Sequence, residues 1–299
     1  MKKIYMAGAG GMLGEAFYRV FSDKYDVRCT DIDANESWLE HIDFRDADKY
    51  RNDVINFAPD MLFHLGAHTS LEYCEENPDD AYRTNTLSVE YATQIANDLN
   101  IPILYISSAG IFDGGKDLYD DWDIPNPLGV YARSKYMGER YVVENAKKYL
   151  VCRAGWMMGG GASKDKKFIN KLFKQINNGA ETLNIVNDKD GTPTYTVDFA
   201  KNVLALMQTK KWGLYNMVCG GQTSREEVCR ELLRILNLED KINIELVNSD
   251  FFAAEYFAPR PPCERLVNKR LDLIDCNKMR DWKISLKDYI NDYYADWEG

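Results

Sequence analysis

Short apolar runs alternate with longer stretches in which apolar residues recur every three or four positions, and this rhythm fills the first half of the chain. Apolar runs at 2–7, 26–30, 61–65, 103–107 and 150–153 predict strands. Their near-continuous hydrophobicity is that of strands buried on both faces. Helical spacing predicts helices over 12–21, 49–57, 79–99 and 131–149. Turn residues such as Pro59-Asp60 separate the two kinds of segment. Strand, helix, strand in this order specifies a parallel sheet covered on both faces, joined by right-handed crossovers.

Past residue 154 the rhythm loosens, and Gly159-Gly160-Gly161 marks a break. Helices are expected at 166–177, 197–207 and 225–236, a Pro-rich loop at 256–262, and an aromatic helix at 287–297. The expected organisation is an α/β domain over 1–154 plus about 186–218. A smaller, mostly helical domain takes about 155–185 and 219–299. No internal repeat or low-complexity tract interrupts this plan.

Composition narrows the function. The 299 residues carry a net charge of −10, with no block of Lys and Arg, so nucleic acid is not an expected partner. The seven cysteines are odd in number and no pair has CxxC spacing, which argues against zinc or a disulfide framework and for reduced thiols in a cytoplasmic protein. No metal-ligand spacing stands out. No stretch is apolar enough to span a bilayer. The aromatics of the last helix suggest a surface for a homodimer.

Candidate chemistry begins at Gly8-Ala9-Gly10-Gly11-Met12-Leu13-Gly14, between the first strand and the first helix. Glycines there permit a tight turn and let backbone approach a pyrophosphate, and the helix N-terminus offers unpaired N–H groups. Gly8, Gly11, Met12, Leu13 and Gly14 are therefore candidate cofactor contacts. Asp31 ends the next strand, where a carboxylate accepts from both ribose hydroxyls and repels a 2′-phosphate. Ile32, not Arg, follows it. The expected fold is Rossmann-type and doubly wound, with NAD(H) preferred and NADP(H) the second choice. Asp43 and Phe44 are candidates for the adenine amino group and ring face. Leu65, Gly66 and Ala67 end a strand where small residues let a dinucleotide lie close.

Tyr131 and Lys135 stand at i and i+4, which puts a phenol and an ammonium on one helix face. A neighbouring Lys lowers a phenol's pKa and fits Tyr131 for proton exchange with a carbonyl or alkoxide oxygen. Lys135 also suits a nicotinamide ribose. Ser107 and Ser108 end the strand just upstream, and the Ser108 hydroxyl is placed to hold the substrate oxygen against Tyr131. Catalytic candidates are thus Ser108, Tyr131 and Lys135, with Ser107, Tyr131 and Lys135 also reaching the cofactor.

Several stretches together resemble the dTDP-4-dehydrorhamnose reductase family of extended short-chain dehydrogenases. They are the glycine turn, Pro59-Asp60, Phe112-Asp113-Gly114, Asn126-Pro127-Leu128 before Tyr131 and Lys135, Arg153-Ala154-Gly155-Trp156, residues 188–195, and Arg260-Pro261. The resemblance implies a nicotinamide cofactor and reduction of the C4 ketone of a nucleotide-linked sugar. It implies sugar-nucleotide contacts at Trp156 and Arg260, while Ser108, Gly110 and His68, the last at a place where the family has plainer residues, are further candidate substrate contacts. The chain departs from the family where Ser108-Ala109-Gly110-Ile111 replaces Thr-Asp-Tyr-Val, and that stretch looks more like sugar-nucleotide epimerases and dehydratases. An epimerase or dehydratase that retains NAD, and a non-catalytic dinucleotide-binding regulatory subunit, are the alternative expectations.

Overall fold

The computed structural model describes every residue except Asp296, Glu298 and Gly299. Seven parallel strands form its central sheet: β1 (Lys3–Ala7), β2 (Asp26–Asp31), β3 (Leu39–His41), β4 (Met61–His64), β5 (Ile103–Ser108), β6 (Tyr149–Ala154) and β7 (Gly213–Asn216). Their order is β7-β6-β5-β4-β1-β2-β3. The order reverses between β1 and β4, so a crevice opens at the C-terminal ends of those two strands.

The strands are covered on both faces, as their apolar runs required. Along β1, Ile4 and Met6 point into one apolar cluster and Tyr5 and Ala7 into another. The first cluster lies under α1 (Met12–Phe21) and α6 (Thr196–Thr209), where Phe17 meets Phe63 and Phe199 at ring distances of 5.4 and 6.3 Å. The second lies under α2 (Ala47–Phe57), α3 (Ser88–Asp98) and α4 (Val130–Asn145). Between α4 and α6 runs α5 (Phe168–Asn177). Burying a side chain such as Phe17 contributes roughly 2 kcal/mol.

The C-terminal part does not have a separate core. Leu183, Leu232, Trp282 and Tyr289 belong to the same cluster as Phe17. Two further helices, α7 (Arg225–Ile235) and α8 (Trp282–Tyr293), pack there. Short strand pairs frame this half: Trp156–Met158 with Pro193–Tyr195, and Thr182–Val186 with Asn243–Val247. No helix among the described residues is long and apolar enough to cross a membrane.

Several expectations need correction. The helix expected over 131–149 ends at Asn145, because Asn97 takes the Lys147 amide (2.9 Å) and the Ile103 amide donates to the Lys148 carbonyl (3.0 Å). The span 79–99 is not one regular helix, since Arg83–Leu87 forms a π-helical turn before α3. The edge strand β3 gave no readable signal in three residues. The last helix begins at Trp282, where the Asp281 carboxylate accepts from the Lys283 amide (2.9 Å). Its aromatics face inward: Tyr289 and Tyr294 are buried, and Phe173 stacks on Tyr294 at 3.9 Å. Tyr289 and Tyr294 therefore offer no surface for the homodimer expected from these aromatics, while Tyr293 and Trp297 are half-buried.

Candidate active site

The glycine turn sits at the point where the strand order reverses. Gly8 adopts φ +73°, and a Cβ there would lie 2.2 Å from Gly66 Cα. Gly14 brings α1 down on the turn, leaving 2.1 Å between its would-be Cβ and the Ala9 carbonyl oxygen. Gly11, the N-cap of α1, faces open space. The first N–H groups of α1 thus point out beside a residue that adds no bulk. Met12 is half-buried and Leu13 buried below it.

Asp31 stabilises this turn. Its carboxylate accepts from the Gly10 amide (2.8 Å) and the Asp33 amide (3.0 Å). Ile32 beside it is exposed. Asp43 is gripped by Arg45 through three guanidinium contacts of 2.9–3.1 Å and the backbone amide at 2.9 Å. The Arg45 guanidinium holds the Asp43 carboxyl below its usual range. Leu65 and Ala67 are half-buried at the end of β4.

The chemical end lies on β5 and α4. Ser108 Oγ accepts from the Gly110 amide (3.1 Å) and stands near enough to the Tyr131 phenol to favour its ionised form. A point one Cβ out from Gly110 is 3.4 Å from Ser108 Oγ, 3.9 Å from Tyr131 Cε1 and 3.0 Å from Glu264 Oε1. Three functional groups therefore crowd around Gly110, where even a Cβ would be tight against the Glu264 carboxylate. The Val130 amide, at the start of α4, donates to Glu75 (2.6 Å), which fixes where Tyr131 begins the helix.

Burial pushes the Tyr131 phenol up to about 12; the nearby Ser108 hydroxyl opposes the rise and Glu264 adds to it. Burial pulls Lys135 down to about 7, with Glu139 opposing. This corrects the expectation that Lys135 lowers Tyr131. Helical spacing does put the two on one face, but Lys135 Nζ donates to the Ile106 carbonyl (2.7 Å) and lies 4.3 Å from the centre of the Tyr105 ring. Its charge is spent on the strand below.

Trp156 closes one side of this space. Its Nε1 donates to Glu264 Oε2 (2.6 Å), and its ring covers Gly191, where a Cβ would come within 2.1 Å of it. The Arg225 guanidinium lies 3.6 Å over the same ring and 4.7 Å over Phe168. Burial holds Lys167 down at about 8, with Arg260 and Arg225 near enough to add to that effect, and Arg260 likewise disfavours the charge on Arg225. Glu264 and Arg225 were not readable from sequence. Neither lies in a motif, and Arg225 opens an ordinary helix.

Three candidates stand elsewhere than expected. His68 was expected to point into the sugar site, but its Nε2 pairs with Asp80 (2.7 Å), which also meets Tyr73 and Arg45. The ring thus joins the network that ends on Asp43. Phe44 was expected to offer a ring face to adenine, but its side chain is in the core, filling the hole over Gly66 and meeting His64 edge-on at 5.0 Å. Arg260 pairs with Glu72 (2.6 Å) and donates to the Ala258 carbonyl (2.9 Å). It faces the Lys167–Arg225 cluster and makes no hydrogen bond to Ser108, Tyr131 or Trp156 among the described residues.

A doubly wound sheet that carries a glycine turn at its switch point, with Ser, Tyr and Lys around the end of β5, defines the extended short-chain dehydrogenase/reductase class. The family model described as "RmlD substrate binding domain" matches residues 1–295, and the chain belongs to that family, the dTDP-4-dehydrorhamnose reductases, and thereby falls among oxidoreductases. A solved dTDP-4-dehydrorhamnose reductase from Yersinia enterocolitica is 30% identical, with a TM-score of 0.86 over 97% of this chain and 99% of that one. One from Bacillus anthracis, in complex with NADP, is 24% identical, with a TM-score of 0.88 over 98% of this chain and 100% of that one. Methionine adenosyltransferase 2 subunit beta from Danio rerio is 26% identical over 280 residues, 91% of this chain and 85% of that protein.

Proposed function

We propose that this protein reduces the ketone of a nucleotide-linked 4-keto sugar, dTDP-4-dehydrorhamnose or a close analogue, with a nicotinamide dinucleotide as reductant. The observation that carries this reading is that Ser108 Oγ and the Tyr131 ring lie side by side against Gly110, at the end of β5.

The residues present suit the cofactor. Gly11 leaves an open cradle at the N-terminus of α1, and Ser107 Oγ is buried without a partner among the described residues. Gly8, Gly11 and Met12 would hold its phosphates, Asp31 and Ile32 its adenosine ribose, and Ser107 and Lys135 its nicotinamide end. When bound, the reduced cofactor supplies hydride to a carbonyl carbon.

The chain's own residues manage the oxygen. Ser108 Oγ holds the carbonyl oxygen by a hydrogen bond. The Tyr131 hydroxyl gives its proton to that oxygen as negative charge builds on it. A phenol raised to about 12 is protonated at neutral pH, which is the form a donor needs, and an alkoxide is basic enough to take its proton. Lys135, near 7 in the ligand-free protein, can hold its proton once ligand oxygens face it.

Asp31 supports NADH over NADPH, because its carboxylate would stand against a 2′-phosphate. An Asp31→Ala variant should raise the Kd for NADH more than that for NADPH; an unchanged ratio removes Asp31 from cofactor selection. The overall reading is tested by following cofactor oxidation across a panel of nucleotide-linked keto sugars. Turnover of none of them, with NADH or NADPH, overturns it. A second reading, a binding subunit for another enzyme, is favoured by the similarity to methionine adenosyltransferase 2 subunit beta. It predicts dinucleotide binding without turnover.

A further inference from the structure

We infer that Glu264 is the residue that selects the substrate, by accepting a hydrogen bond from a donor substituent on the ring carbon next to the one that reacts. The inference rests on the reductase reading above and assigns a specificity role within the same site. The shared chemistry of the substituent is a hydrogen-bond donor, either a hydroxyl or an ammonium.

Two carboxylate oxygens have two different situations. Oε2 is used by Trp156 Nε1 at 2.6 Å. Oε1 has no donor within hydrogen-bond distance among the described residues, and it lies against Gly110, beside Ser108 and Tyr131. Satisfying the Trp156 indole requires one oxygen only, so the second is left for something else. Arg225, the cation over the Trp156 ring, forms no ion pair with Glu264 among the described residues.

The carboxylate is also held firmly. The Glu264 amide donates to the Asp190 carbonyl (2.8 Å), and the Leu266 amide donates to Thr192 Oγ1 (3.0 Å). Arg265 pairs with the Asp190 carboxylate (2.9 Å). This anchoring fixes Oε1 relative to β5, so it reads position and not charge alone.

Geometry relates Oε1 to the reacting oxygen. Oε1 and Ser108 Oγ lie 3.0 and 3.4 Å from the position that a Cβ on Gly110 would take, so both flank the same residue at the end of β5. Atoms that close together can serve oxygens on adjacent carbons of one sugar ring. With Ser108 on the carbonyl oxygen, Glu264 meets the neighbouring substituent. An acceptor left unpaired there by a deoxy sugar is costly, and an anionic substituent is repelled.

The test compares the parent protein with Glu264→Ala and Glu264→Gln. Each is assayed for turnover, and for sugar-nucleotide binding by calorimetry, with three 4-keto sugar nucleotides. These carry a hydroxyl, an amine or only hydrogen at the carbon next to the ketone. Dinucleotide affinity serves as the folding control and should not change. The parent should prefer a donor-bearing substrate over the deoxy one by roughly 10- to 100-fold in kcat/KM. Glu264→Ala should lose that preference, chiefly through KM, so that kcat/KM for the donor-bearing substrates falls to that for the deoxy one. Glu264→Gln, a neutral acceptor, should keep most of the preference for a hydroxyl and lose it for an ammonium, which separates the two sources. Equal loss on all three substrates, or a parent without the preference, overturns the role of Glu264 and leaves the reductase reading standing. A parent that neither binds nor turns over any of the three overturns both.

Discussion

Tyr131 and Lys135 share one face of α4, yet burial moves their proton affinities in opposite directions. The spacing gave the shared helix face; burial then raised the phenol to about 12 and lowered the amine to about 7. A Tyr131→Phe variant should keep dinucleotide affinity and lose turnover by roughly 10²- to 10⁴-fold. Parent-level turnover in a cofactor-oxidation assay would remove the phenol from the reaction. Lys135 leads to a prediction about stability. Its native value lies below that of an unfolded lysine, so the unfolded chain binds more protons between pH ~7 and ~10.5, and stability rises with pH across that window. Lys135→Met removes the buried charge. Its stability relative to the parent should be greatest at or below pH ~7 and should decline toward pH ~10.5. Urea midpoints for the ligand-free proteins across this window check it, and a pH-independent difference would mean that Lys135 titrates normally. The same variant should lose turnover, as expected where a site holds an unfavourable group for its function.

Elements were readable where local pattern and tertiary packing agree. The glycine turn is the clearest case, because three of its glycines stand in three different situations. Gly8 needs positive φ, Gly14 needs close approach, and Gly11 needs neither. Gly14→Ala should therefore drive α1 off the turn, lowering stability by about 1–3 kcal/mol and weakening dinucleotide binding. Gly11→Ala should cost less than ~1 kcal/mol and act on dinucleotide affinity alone. Thermal melting set beside dinucleotide titration separates the two, and a strongly destabilised Gly11→Ala would show that the open cradle is misread. The end of α4 was misjudged because no Gly or Pro stops that helix; the Asn97 side chain, 50 residues away, does. The aromatic helix was placed late because its start is set by the Asp281 cap, while its period hid which face was buried.

At the scale of the whole molecule, α4 is tied to the sheet by a buried ion pair. Arg153 on β6 makes two hydrogen bonds to Glu139, at 3.0 and 2.6 Å, and both side chains are almost fully buried. Removing one partner leaves an uncompensated charge. Glu139→Leu should destabilise by about 3–5 kcal/mol, and adding Arg153→Met should recover most of that loss. Denaturation midpoints of the single and double variants test this; additive losses would mean the pair acts separately.

The sequence by itself determined the strand and helix rhythm, the doubly wound class, the glycine turn with Asp31, and the Ser108, Tyr131 and Lys135 set. Each is local, written in period, turn chemistry or short spacing. Only the tertiary structure decided that Glu264, 133 positions beyond Tyr131, stands in the same space, that Arg225 covers Trp156, and that His68 and Phe44 turn away. Those placements depend on which side chain fills which gap between distant segments. A single chain carries no periodic trace of such contacts, because their energy arises only when the segments meet.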